Sequence, residues 1–120
     1  MEQNSQRIVK DLLTPTYFIS GLLLMNAVER LLWWILGSSV GGYNRCRIIE
    51  LLLKRPYNTN ELSTILNLNY KTTRHHLEIL QKNRIIIATG QSYGKVYSPS
   101  EFLENNVELF KEIWAKIGKK

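Results

Sequence analysis

The sequence predicts a mainly α-helical domain with one small β-hairpin: a helix-turn-helix core over residues 43–98, with an apolar helix before it and another after it. Three observations carry that expectation. Residues 58–81, NTNELSTILNLNYKTTRHHLEILQ, hold two short helical patterns separated by a tight break. A β-branched run follows at once, then a Gly-bounded loop and a second short β-prone run. The flanks, within residues 1–42 and 99–120, each carry an apolar stretch long enough for a helix.

The two central helices are justified locally. Asn58 followed three residues later by Glu61 has capping-box spacing, so a helix can start at Thr59. Leu62, Ile65 and Leu66 recur at i, i+3, i+4, one face of a 3.6-residue period. Asn67, Leu68 and Asn69 then supply turn chemistry, since Asn tolerates left-handed dihedrals, and Leu68 is placed to plug the corner. The second helix is predicted over 70–81, with Thr73, Leu77 and Leu80 inward and Tyr70, Lys71, Thr72, Arg74 and His75 outward. A helix-turn-helix of this kind presents its second helix to the major groove of duplex DNA.

Ile85, Ile86 and Ile87, the loop from Gly90 to Gly94, and Lys95 to Tyr97 read as a hairpin. A hairpin directly after a recognition helix is a wing. The pattern of Glu61, Leu62 and Ser63, then Leu66 to Tyr70, His76 and Leu77, Leu80, Asn83 to Ile85, Gly90 and Tyr97 resembles the ArsR-like winged helix-turn-helix transcriptional regulators, short archaeal ones in particular. The resemblance spans about Tyr43 to Lys116. It implies a DNA-binding homodimer that pairs through a helix ahead of the core, while the single cysteine and the lack of a secretory signal pattern point to the cytoplasm. It also implies that His76 packs near the helix junction while His75 faces DNA.

Charge agrees with that expectation. The net charge is +6, and its distribution is uneven. Residues 1–44 carry three basic and three acidic side chains, and residues 99–120 four of each. Residues 45–98 carry nine basic and three acidic, so the whole excess lies in the core, as a duplex-binding face requires. Long cations neutralise phosphates and short polar or forked side chains read base edges. The candidate DNA-binding residues are Asn69, Tyr70, Lys71, Thr72, Arg74 and His75 on the second helix. Gln91, Ser92, Tyr93 and Lys95 join them from the wing at 90–95, placed for backbone or minor groove.

The N-terminal flank has the more ambiguous pattern. Thr14 can cap a helix with Pro15 at its first position, and residues 17–36, YFISGLLLMNAVERLLWWIL, are then almost entirely apolar. Twenty residues can span a bilayer, but Asn26, Glu29, Arg30 and Trp33 form a polar stripe in the middle. Charges at mid-bilayer cost roughly 2.5–3.5 kcal/mol each. A dimerisation helix fits better than a membrane helix. The alternative is a winged-helix module that uses residues 17–36 for protein contact or membrane tethering. Asn44 is placed to cap the core's first helix at Arg45 to Lys54, with Ile48, Ile49, Leu52 and Leu53 buried and Pro56 as its stop.

Ser98, Pro99 and Glu101 have capping-box spacing, and a last helix is expected from Pro99 to about Ile117 with a broad apolar stripe. Two apolar helices beside so small a core predict a homodimer, with Leu23, Leu24, Trp34, Phe110 and Trp114 among its contacts.

Other chemistries find no support. One cysteine, Cys46, excludes an intramolecular disulfide and has no metal spacing. His75 and His76 point about 100° apart on a helix and cannot comfortably chelate one ion. The family's metal sensors use clustered Cys near the recognition helix or Asp/His sets in the last helix, and neither occurs here. No nucleophile–base set or phosphate loop is visible, so no cofactor, no metal and no enzymatic activity are expected.

Overall fold

The structure is a computed structural model that describes residues 26–37 and 40–118. Its elements, in order, are α1 (Ala27–Leu32), a wider π-helical turn at Trp33–Gly37, α2 (Gly42–Leu52), α3 (Thr59–Leu66) and α4 (Tyr70–Lys82). They continue with β1 (Ile86–Thr89), β2 (Val96–Pro99), α5 (Glu101–Asn105) and α6 (Val107–Ile117). This is a mainly helical winged helix-turn-helix.

The centre forms as its local chemistry dictates. Asn58 and Glu61 complete a reciprocal capping box, each side chain accepting from the other's backbone N–H at 2.8 Å. Asn67 ends α3 in the left-handed region at φ 56°, ψ 47°, which turns the chain sharply into α4. Leu68 packs against the core at that corner. Asn69 caps α4, its Oδ1 accepting from the Thr72 N–H at 2.7 Å. Strands β1 and β2 pair antiparallel, with Ile86 opposite Pro99 and Thr89 opposite Val96. Gly90, at φ 102°, opens the connecting loop in a conformation that a side chain would strain. Tyr57, ahead of α3, adds a bridge to Tyr97 through two backbone hydrogen bonds of 2.8 and 3.3 Å. The wing is thereby tied to the segment that leads into the helix-turn-helix.

Four expectations need correction. No single helix runs over 17–36. Asn26 is extended and caps α1, and its capping box with Glu29 (2.8 and 3.0 Å) uses two of the four residues of the expected polar stripe. Among the described residues, no helix is long and apolar enough to cross a membrane. Leu23 and Leu24, with the expected cap at Thr14, lie outside the described residues. The core's first helix starts two residues before Asn44, whose Oδ1 instead accepts from Arg47 at 2.9 Å. Gly42 is needed there because a Cβ would lie 2.2 Å from the Leu36 carbonyl oxygen.

The last helix begins later than expected and is broken. Pro99 belongs to β2, and Ser100 is the cap, its Oγ accepting from the Leu103 N–H at 3.1 Å. Ser100 Oγ also donates to the carbonyls of Arg84 and Ile85, so it fastens α5 to the start of the wing. Asn106 then interrupts the helix, its side-chain amide donating to the Phe102 carbonyl at 2.8 Å.

The fourth correction concerns Phe110. It is 2 % exposed and sits in the core of its own chain with Ile113, Leu103, Ile48, Ile49 and Leu52. The π-helical turn packs on both α2 and α6, so Leu32, Ile35 and Leu36 complete that core. Both flanks therefore bury apolar side chains within one chain, and Phe110 is unavailable to a partner.

Candidate nucleic-acid interface

The sequence of α4 separates into two faces. Thr73, His76, Leu77 and Leu80 are buried, and Thr73 Oγ1 donates back to the Asn69 carbonyl at 3.0 Å. Lys71, Arg74, His75, Glu78 and Lys82 are exposed on the opposite side, and Tyr70 is 49 % exposed at its edge. Thr72 is half-buried, so its hydroxyl lies at the margin of the exposed face. Asn69 is exposed, but its side-chain oxygen is committed to capping.

The wing comes back beside this helix. Ser92 and Gly94 lie in a 3₁₀ turn, with Gln91 and Ser92 exposed and Lys95 half-buried. The Tyr93 side chain lies outside what the structure describes. An open cleft of about 680 Å³ runs between the helix and the wing, lined by Asn58, Thr59, Asn60, Tyr70, Arg74, Ser92, Lys95 and Tyr97. It gathers four of the expected residues: Tyr70, Arg74, Ser92 and Lys95. Lys71, Thr72, His75, Asn69 and Gln91 stand outside it.

The cleft adds residues that sequence reasoning assigned only to folding. Thr59 and Asn60 are the first residues of α3, whose N-terminus carries unsatisfied N–H groups and the positive end of the helix dipole. The signal was present in the capping box, because a capped N-terminus is also an anion-facing one. Two cations, two phenols and a helix N-terminus around one cleft can receive a chain of phosphates. Arg74 Nε also lies 3.3 Å from Glu78 Oε2, a surface pair.

Behind the exposed face lies a buried polar cluster. Arg45, 5 % exposed, donates through Nε to the Ile35 carbonyl at 3.0 Å, and its NH1 lies 3.2 Å from His76 Nδ1. A guanidinium only donates, so Nδ1 accepts and His76 is neutral with its proton on Nε2. Burial pushes the His76 imidazole down to about 4, and the neighbouring Arg45 and His75 push it the same way. Burial also lowers Arg45 from its ordinary range. His76 thus packs inside and His75 outside, as the resemblance implied. Cys46 is buried, and burial raises its thiol to about 12, which keeps it protonated and unreactive. Among the described residues no group of three or more His, Cys, Asp or Glu side chains could hold a metal ion.

Residues 43–88 match the family model described as bacterial regulatory protein, arsR family. This segment is similar to the helix-turn-helix domains of that family. The match runs from the first residues of α2 through β1 and contains all of α3 and α4. The rest of the wing and α5 and α6 lie beyond it. Among solved structures the chain is similar to that of the M. tuberculosis transcriptional regulator MosR. The two are 16% identical, and the alignment covers 89% of this chain and 80% of that chain with a TM-score of 0.45. No curated protein sequence matches the chain.

Proposed function

We propose that the chain is a homodimeric, sequence-specific regulator of transcription that binds double-stranded DNA, with α4 in the major groove and the wing on the backbone or minor groove. The observation that carries this reading is the exposed face of α4, with Lys71, Arg74 and His75, set beside a wing that brings Lys95 to the same cleft. The match of residues 43–88 to the arsR-family model supports the DNA-binding part, and regulators of this kind are normally not enzymes. Arg74 can pair bidentately with guanine, and His75 can donate or accept at base edges. Tyr70, Ser92 and Lys95 would meet phosphates along the cleft, with Lys71 beside them. A salt-dependent shift of duplex DNA tests this, followed by selection of bound fragments from genomic DNA. A chain that binds no duplex at low salt would refute it.

The dimer rests on side chains that the fold leaves outside. Trp34 is 70 % exposed, Val40 fully exposed and Tyr43 47 % exposed, all next to the packed N-terminal turn. Trp114 is half-buried beneath Tyr43, with ring centroids 5.4 Å apart, and its Nε1 donates to Glu50 at 3.2 Å. Trp34 is therefore the best-placed contact of the expected set. A two-fold pair would set two α4 helices about 34 Å apart, in successive major grooves. Sedimentation in detergent-free buffer is expected to give a dimer, and Trp34→Asp to shift it toward monomer with the fold retained. A folded, soluble parent monomer at micromolar concentration would contradict the dimer.

A further inference from the structure

Glu78 is the one acidic residue of α4, and it stands in the middle of the exposed face, among Lys71, Arg74, His75 and Lys82. Helix stability does not account for it. In an i,i+4 pair the acid is better placed before the base, and here Arg74 precedes Glu78. Glu78 also lies in the second half of the helix, toward the negative end of its dipole, where a carboxylate is disfavoured. Its effect on DNA binding is equally adverse in general, since a carboxylate on this face is repelled by phosphates and holds the Arg74 guanidinium at 3.3 Å. Both side chains remain open to a partner, at 62 % and 63 % exposure.

We propose that Glu78 is a specificity-determining residue that acts with Arg74 as a two-part reader of G·C pairs, an inference resting on the DNA-binding reading above. Arg74 donates to guanine O6 and N7, and Glu78 accepts from cytosine N4, the one base-edge donor that suits a carboxylate in such a pair. Four residues rise about 6 Å along a helix, less than two base-pair steps, so the two side chains read the same or adjacent pairs. At most registers of a random sequence no cytosine amino group meets Glu78. It then keeps Arg74 engaged and repels the backbone, which lowers non-specific affinity. The carboxylate thus weakens binding everywhere except at the matching site.

The test compares the parent with Glu78→Gln and Glu78→Ala, both at a solvent-exposed position, on the parent's selected fragment and on a random duplex of equal length. Thermal melting confirms that each variant is folded. The expected result is a several-fold gain on random duplex, and a fall in the ratio of specific to random affinity on the order of tenfold. Fragment selection with Glu78→Gln is expected to lose one C·G preference and keep the others. Equal gains on both duplexes, or an unchanged selected motif, would overturn the proposal while leaving DNA binding intact. A parent that selects no motif would remove the functional reading itself, and this inference with it.

Discussion

The inner and outer faces of α4 are best compared at its two adjacent histidines. His76 is buried against Arg45 and takes part in holding the helix to the rest of the chain. His75 is exposed on the face turned away from the core, with its ring 5.8 Å from that of His76. One residue of sequence separation, about 100° of helix, moves the same side chain from a buried to a solvent-exposed environment. The inner face should therefore answer to stability measurements and the outer face to DNA measurements.

The largest effect belongs to the inner face. Leu77 is fully buried, and Leu77→Ala removes that packing and leaves a cavity, which should cost about 2–5 kcal/mol in urea unfolding. A loss below 1 kcal/mol would show that α4 is held less firmly than its packing indicates. Phe110→Asp belongs to the same class and should unfold the chain, because Phe110 is part of its own core.

The next effect uses pH to probe the buried histidine. His76 has a folded value of about 4 against an ordinary 6.5, so the unfolded chain binds the extra proton between those values. Its contribution to stability is complete above pH 6.5 and is lost as pH falls toward 4. Between pH 7.5 and 5 this should remove about 2 kcal/mol, a range in which most carboxylates stay ionised. His76→Gln should flatten that slope. Equal slopes for the parent and His76→Gln would place the proton uptake elsewhere.

The smallest expected effect sharpens the outer side of the comparison. Lys71→Ala and Lys95→Ala should weaken specific and random binding alike, each flattening the slope of log K against log salt by about one unit. Their melting temperatures should match the parent's. An unchanged slope in both would move the phosphate contacts to other cations.

A contrast between near and far interactions explains what was legible in the sequence. The Asn58–Glu61 box, the left-handed Asn67 and the two-faced pattern of α4 depend on residues within one turn of each other, so they can be read directly. Asn26 and Glu29 have the same spacing as Asn58 and Glu61, but the apolar run on either side pointed to one continuous helix. In such a helix the polar pair reads as part of a stripe. At the other end, the spacing of Ser98 and Glu101 points to a cap at Ser98, but Pro99 pairs with Ile86 across the hairpin and the cap falls on Ser100. The Tyr57–Tyr97 bridge, the Arg45–His76 contact 31 residues apart and the burial of Phe110 rest on long-range packing that leaves no local pattern. In the candidate site, charge and helix facing identified Arg74 and Lys95. Thr59 and Asn60 emerged only when the fold brought the start of α3 to the wing.

The central claim, that the outer face of α4 reads DNA while its inner face holds the fold, is tested most directly by one measurement. Fragment selection and binding would be run on the parent and on the Arg74→Ala, His75→Ala double variant. The account expects the parent to enrich a pseudo-palindromic motif. The variant should melt like the parent and lose far more affinity for the selected motif than for random duplex, about 1–3 kcal/mol at each base pair those side chains read. A variant that enriches the same motif with the parent's affinity would contradict the account.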